Sequence, residues 1–130
     1  MSVGPELSRE QCLRQLADSD VVLVPSRDDA TSLVALDALA CSRILVVSRA
    51  TGISEYVEHG VSAFILEENS PQEIAKTLTE IVQQGDLCPD VRAAGHAAFE
   101  ANFSWDSFSA QVHSLLAAEM NQLDIRLPVK

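Results

Sequence analysis

The stretch DSDVVLVPSRDDATSLVALDALACSRILVVS, residues 18–48, decides the fold. Two short uncharged runs, Val21–Val24 and Ile44–Val47, bracket a polar loop and an apolar segment of helical length. A continuous apolar run closed by Pro25 reads as a strand buried on both faces, the kind found in parallel sheets. The loop SRDDATS offers Thr31 or Ser32 as the cap of a leucine- and alanine-rich helix through Cys41. Strand, helix and strand in so few residues form a right-handed parallel crossover.

The pattern extends in both directions. Upstream, Ser8 and Gln11 form a capping box for a helix to about Asp18, with Cys12, Leu13, Leu16 and Ala17 on one stripe. Downstream, Thr51-Gly52 opens a loop, ISEYVEHG reads as a short helix ended by Gly60, and Ala63–Leu66 is a third strand. Ser70-Pro71-Gln72-Glu73 starts a helix whose stripe is Ile74, Leu78, Ile81 and Val82, stopping near Gly85. A further helix spans Asp90 to about Asn102. Ser104 caps a last one, with Trp105 as a core anchor and Phe108, Val112, Leu115 and Leu116 facing inward. Residues 117–130 read as a loosely ordered tail. The expectation is one α/β domain over 1–130, a three-layer α/β/α arrangement around a small parallel sheet with strands in the order 21–25, 44–48, 63–66.

Composition excludes several classes. The chain has 130 residues, 47% hydrophobic and 22% charged, an ordinary globular balance. Nine Lys+Arg against nineteen Asp+Glu give −10, which repels phosphate backbones and anionic membranes, so no nucleic-acid partner is expected. The charge is uneven, −2 over residues 1–50 and −8 over 51–130, so an anionic ligand is better tolerated near the first half. No apolar run approaches the roughly 20 residues of a membrane span. The N-terminus MSVGPELSRE has no apolar signal core, and three cysteines without a CxxC pair read as buried or half-buried reduced thiols, so a cytoplasmic location is expected. His59, His96 and His113 share no ligand spacing, so no metal site is expected. Ser26 follows a strand but lacks a GxSxG elbow, which argues against a serine hydrolase.

Several blocks, in order, carry a resemblance. DSDVVLVPS, DATSLVALDALAC, RILVVS followed by TGISEYVEHGVSAFIL, SPQEIAKTLTEIV and FSWDSFSAQ resemble the later half of the C-terminal, Rossmann-like donor-binding domain of GT-B glycosyltransferases of the retaining family 4 type. The resemblance implies a nucleotide-sugar donor, held without a metal ion or other cofactor. In that family two glutamates eight positions apart flank the donor, and Asp29 and Asp37 keep that spacing. By resemblance Asp29 lies beside the transferred sugar as the catalytic carboxylate and Asp37 takes the ribose hydroxyls. Ala30, Thr31, Ser32 and Leu33 stand at the turn into the helix. Gly52 stands in the family's Gly-Gly loop, and Glu55 at a helix start near the donor cleft. A carboxylate accepts two hydroxyls well, and free amides at a helix start can hold a diphosphate.

The sequence also departs from that pattern. Both glutamates are aspartates, and the family's turn glycines are Ala30 and Ser32, which would impair a turn needing φ > 0. Arg27 reads as a phosphate neutraliser or, more simply, as the ion-pair partner of Asp28 or Asp29. The family's earlier strands, its basic diphosphate-binding pair and its acceptor-binding domain have no counterpart upstream of residue 8. The expectation is therefore a donor-binding portion of a hexosyltransferase that is inactive alone. The alternative is a degenerate half-domain kept for interaction. The uncharged Val21–Val24 run, central in the full family domain, here leaves an open sheet edge, so the expected partner is a second copy of the chain across that edge or the missing domain of the same enzyme.

Overall fold

The computed structural model describes residues 4 and 6–122. Their order is α1 (Arg9–Asp18), β1 (Val21–Val24), α2 (Leu33–Ala40), β2 (Ile44–Ser48), a 3₁₀ turn (Gly52–Glu55), β3 (Phe64–Leu66), α3 (Pro71–Gln83), α4 (Pro89–Phe103) and α5 (Trp105–Gln122). The sheet order is β1-β2-β3, all parallel, with Val21 opposite Ile44 and Val46 opposite Phe64. The small α/β/α arrangement read from the sequence is the one observed.

The helix starts follow the local chemistry. Ser8 caps α1 in a reciprocal capping box with Gln11. Ser32, rather than Thr31, caps α2 by accepting the Ala35 N–H. Ser70 caps α3 ahead of Pro71. The segment after Gly52 is one 3₁₀ turn instead of a helix reaching Gly60.

Alternation along the strands separates two cores. Val22, Val24, Leu45, Val47 and Ile65 pack with Ala35, Ala38 and Leu39 of α2 and, at the margin, Phe99 and Phe103 of α4. Ile44, Val46, Phe64 and Leu66 pack on the other face against Ile81, with Ile74 and Leu78 of α3 at the margin. All five residues of β2 are buried, as a strand covered on both faces requires. β1 differs from the expectation. Its face toward α2 is covered, but on the opposite face Val21 is only half-buried, at the margin of the α3 core, and Leu23 is 37% exposed. The outer edge of β3 is partly satisfied, since the Ile65 N–H donates to His59 Nδ1 at 3.0 Å.

The C-terminal elements correct three further expectations. Trp105 is 76% exposed, and Phe108, Leu115 and Leu116 are exposed rather than inward, α5 packing chiefly against α4 among the described residues. Val82, placed on the α3 stripe, is exposed. Residues 117–122 continue α5 instead of forming a loose tail, and 123–130 lie outside the described residues. Of the cysteines, Cys88 is buried and Cys41 half-buried, but Cys12 is exposed. The α1 stripe is correspondingly shallow. No α1 residue is fully buried, and Leu16 alone reaches the core margin.

Candidate functional site

A parallel sheet gathers the loops after its strands at one end, and these are where ligands bind in open α/β folds. Here the loop after β1 and the loop after β2 are joined by backbone pairing. Asp29 and Thr51 form an isolated parallel bridge, the Asp29 N–H donates to the Ala50 carbonyl at 3.3 Å, and the Gly52 N–H donates to the Asp29 carbonyl at 2.9 Å. Two stretches 22 residues apart thus become one rim. Gly52 is required there: a Cβ at that position would stand 2.1 Å from the Ala30 carbonyl oxygen.

The turn into α2 needs no glycine. Neither Ala30 nor Ser32 has positive φ, and Ser32 uses its side chain as the helix cap. Capping occupies the Ala35 N–H, whereas the N–H groups of Leu33 and Val34 find no acceptor among the described residues. Thr31 and Leu33 are exposed, and the Thr31 hydroxyl donates to the Ala30 carbonyl. Glu55 ends the 3₁₀ turn, exposed and without a side-chain partner among the described residues.

The carboxylates have different environments. Asp29 is half-buried and its Oδ2 lies 3.5 Å from the Ser26 hydroxyl, at the limit of a hydrogen bond. Asp37 is held by an arginine that the sequence did not single out. Arg9 Nη2 is 3.1 Å from Oδ1 and Nη1 3.2 Å from Oδ2, with the Asp37 side chain 22% exposed and that of Arg9 68%. Arg27 forms no ion pair among the described residues, contrary to the expected pairing with Asp28 or Asp29. Its guanidinium stays available at the rim.

Below the rim, polar side chains tie the strand ends together. The buried Ser48 donates to the Ser26 carbonyl, and Asn69 Nδ2, beyond β3, donates to the Pro25 carbonyl at 2.9 Å. The loop after β3 is set by Glu73, whose carboxylate accepts the N–H groups of Glu67, Glu68 and Asn69 at 2.8, 3.0 and 2.8 Å. The Glu67 N–H, foremost, holds the Glu73 carboxyl below its ordinary range, with smaller help from Asn69 and Glu68. Arg49 pairs with Glu67, which lowers the Glu67 carboxyl and raises the guanidinium. Arg9, Ser48 and Asn69 are contributions that sequence reasoning missed. Only the Asn69-Ser70-Pro71 punctuation before α3 hinted at a fixed turn.

The sequence profile described as "Glycosyl transferases group 1" matches residues 2–98. The chain belongs to that family. Among curated relatives, a D-inositol 3-phosphate glycosyltransferase of Streptosporangium roseum is 33% identical over 113 residues, 84% of this chain and 26% of the relative. The chain therefore spans about a quarter of the length of such relatives. In the solved structures, Anabaena Alr3699/HepE in complex with UDP superimposes with a TM-score of 0.73 at 23% identity, covering 81% of this chain and 29% of that one. Sucrose-phosphate synthase of Thermosynechococcus elongatus gives 0.72 at 19% identity, covering 83% and 27%. The sheet and helices of this group 1 chain thus resemble part of a GT-B Rossmann-like domain. No described helix is long and apolar enough to cross a membrane.

Proposed function

We propose that this chain provides the donor side of a nucleotide-sugar site in a retaining hexosyltransferase. The observation that carries the reading is the backbone junction of Asp29 with Thr51 and Gly52, which brings two separate sequence blocks of the family to one rim. Structural neighbours crystallised with UDP and UDP-glucose support it. Asp37 accepts the ribose hydroxyls, the free Leu33 and Val34 amides and Arg27 face the diphosphate, and Asp29 stands beside the sugar, where a carboxylate stabilises positive charge developing on the ring. Ala30, Thr31 and Ser32 shape the turn beneath the sugar, and Glu55 flanks it. The diphosphate charge is met by these groups without a metal ion. Transfer needs both substrates oriented in a closed, dry cleft, so the chain alone is inactive.

Calorimetric titration with UDP-, GDP- and ADP-sugars tests this reading. One of the three binds, and Asp37→Asn weakens it about tenfold, the loss of a hydrogen-bonded charge. Absence of binding by all three, or measurable sugar transfer by the chain alone, overturns it.

A second reading, a self-pairing module, is favoured by one observation: Leu23 is exposed beside the unpaired edge of β1. It is compatible with donor binding, since the rim lies at the strand ends and the open edge runs along the sheet.

A further inference from the structure

The carboxylate assigned to the ribose is already engaged by the chain itself. Arg9 Nη2 lies 3.1 Å from Asp37 Oδ1 and Nη1 3.2 Å from Oδ2, one guanidinium nitrogen on each oxygen. A carboxylate keeps further lone pairs, but the Asp37 side chain is only 22% exposed, whereas that of Arg9 is 68% exposed. Arg9 is therefore the outer layer of the pair. Its guanidinium covers the direction from which a diol arriving from solvent reaches the same two oxygens.

Three features of α1 make this contact a releasable clasp. First, Arg9 is poorly placed for the helix itself. It is the first residue of α1, where the positive end of the dipole disfavours a cation, and the last turn holds Asp18 and no basic residue. A local rule broken without local gain marks functional sites. Second, the acid beside it does not hold it. Glu10 is engaged by Arg14 at 2.6 Å, and among the described residues the Arg9 side chain bonds to Asp37 alone. Third, little fixes α1 to the body. No α1 residue is fully buried, and only Leu16 packs against the core. The capping box of Ser8 and Gln11 lies within the start of the helix, so α1 can shift and keep its cap.

We propose that Arg9 competes with the donor for Asp37: the guanidinium and the ribose hydroxyls use the same two oxygens, so a nucleotide-sugar enters only as α1 gives up the carboxylate. The inference rests on the donor reading and adds to it a brake built into the chain. An ion pair this exposed is weak, so the brake is mild, about two- to fivefold in donor affinity. The rival role for the same guanidinium, attraction of the anionic diphosphate, predicts the opposite sign.

The experiment is calorimetric titration of the 130-residue chain with UDP-, GDP- and ADP-glucose, comparing wild type with Arg9→Ala, Arg9→Lys and Arg14→Ala. Arg9→Ala binds the same nucleotide-sugar about two- to fivefold more tightly than wild type. Arg9→Lys, a point charge that cannot fork across both oxygens, falls between the two. Arg14→Ala removes an equal charge from the same helix and leaves the affinity unchanged. In an Asp37→Asn background, Arg9→Ala has no effect, because the contested carboxylate is gone. Hydrogen exchange gives a readout separate from affinity: saturating nucleotide-sugar speeds exchange of the α1 amides in wild type and changes nothing in Arg9→Ala. Donor binding that is unchanged or weaker in Arg9→Ala overturns this inference and leaves the donor reading standing. Equal tightening by Arg14→Ala, or by Arg9→Ala in the Asp37→Asn background, also overturns it. Binding of no nucleotide-sugar by wild type and Arg9→Ala alike overturns the donor reading and this inference with it.

Discussion

Arg9 on α1 closes on both carboxylate oxygens of Asp37 on α2, at 3.1 and 3.2 Å. The pair joins two helices that otherwise share little, since no residue of α1 is fully buried. Because Arg9 is largely exposed, the pair contributes only about 0–1 kcal/mol. Arg9→Ala therefore leaves global stability within that margin. Its effect is local: α1 amides exchange faster in hydrogen-exchange NMR, while β2 amides do not change. Unchanged protection of α1 would show that Leu16 alone docks the helix.

Gly52 and Gly95 both stand where a Cβ does not fit. At Gly52 the obstacle is the Ala30 carbonyl oxygen at 2.1 Å, and at Gly95 the Ser62 carbonyl at 2.7 Å with Leu39 Cδ2 at 3.0 Å. In α4 an alanine would gain about 1 kcal/mol of helix propensity. The clash with a backbone oxygen costs about 1–3 kcal/mol and wins. Both Gly52→Ala and Gly95→Ala are expected to lower the urea midpoint. Gly52→Ala also moves the amide signals of Asp29 and Ala30, and Gly95→Ala leaves them in place.

The open edge of β1 can be tested without harming the core. Val22 is 8% exposed and packs toward α2, so Val22→Lys buries an unpaired charge and unfolds the protein. Leu23 points to the opposite face and is 37% exposed. If the edge pairs with a second copy, the chain sediments as a dimer at tens of micromolar and Leu23→Lys sediments as a folded monomer. A wild-type monomer in that range removes the self-pairing reading.

The loop after β3 is pH-dependent through Glu73. Its carboxyl is held low in the fold by the Glu67 N–H first, then those of Asn69 and Glu68. A depressed folded value means that the contribution is fully present above the unfolded glutamate range, near pH ~4.3, and is lost as pH falls through the folded value. Hydrogen exchange at 67–69 is expected to accelerate, after correction for intrinsic rates, as pH falls below the ordinary glutamate range and through the lower folded value. Glu73→Gln should show the faster exchange at neutral pH already. Equal protection in both proteins would place the loop's rigidity elsewhere.

Local rules were sufficient for much of this protein. Four-residue apolar runs in Val21–Val24 and Ile44–Val47, a serine before each of α1, α2 and α3, and Pro71 at a helix start act within a few residues. They determined the parallel α/β class and most element positions. The spacing of Asp29 and Asp37 marked the loop and helix to which the proposed donor site is assigned. The rest depends on what comes close in space. No sequence spacing relates Arg9 to Asp37, 28 residues apart, or Asn69 to Pro25, 44 apart, because crossovers bring the strand ends together only after the sheet forms. The same reason explains the failures at Leu23, Trp105 and Phe108. Hydrophobicity states what a side chain gains by burial, but only the packed neighbours decide whether anything covers it.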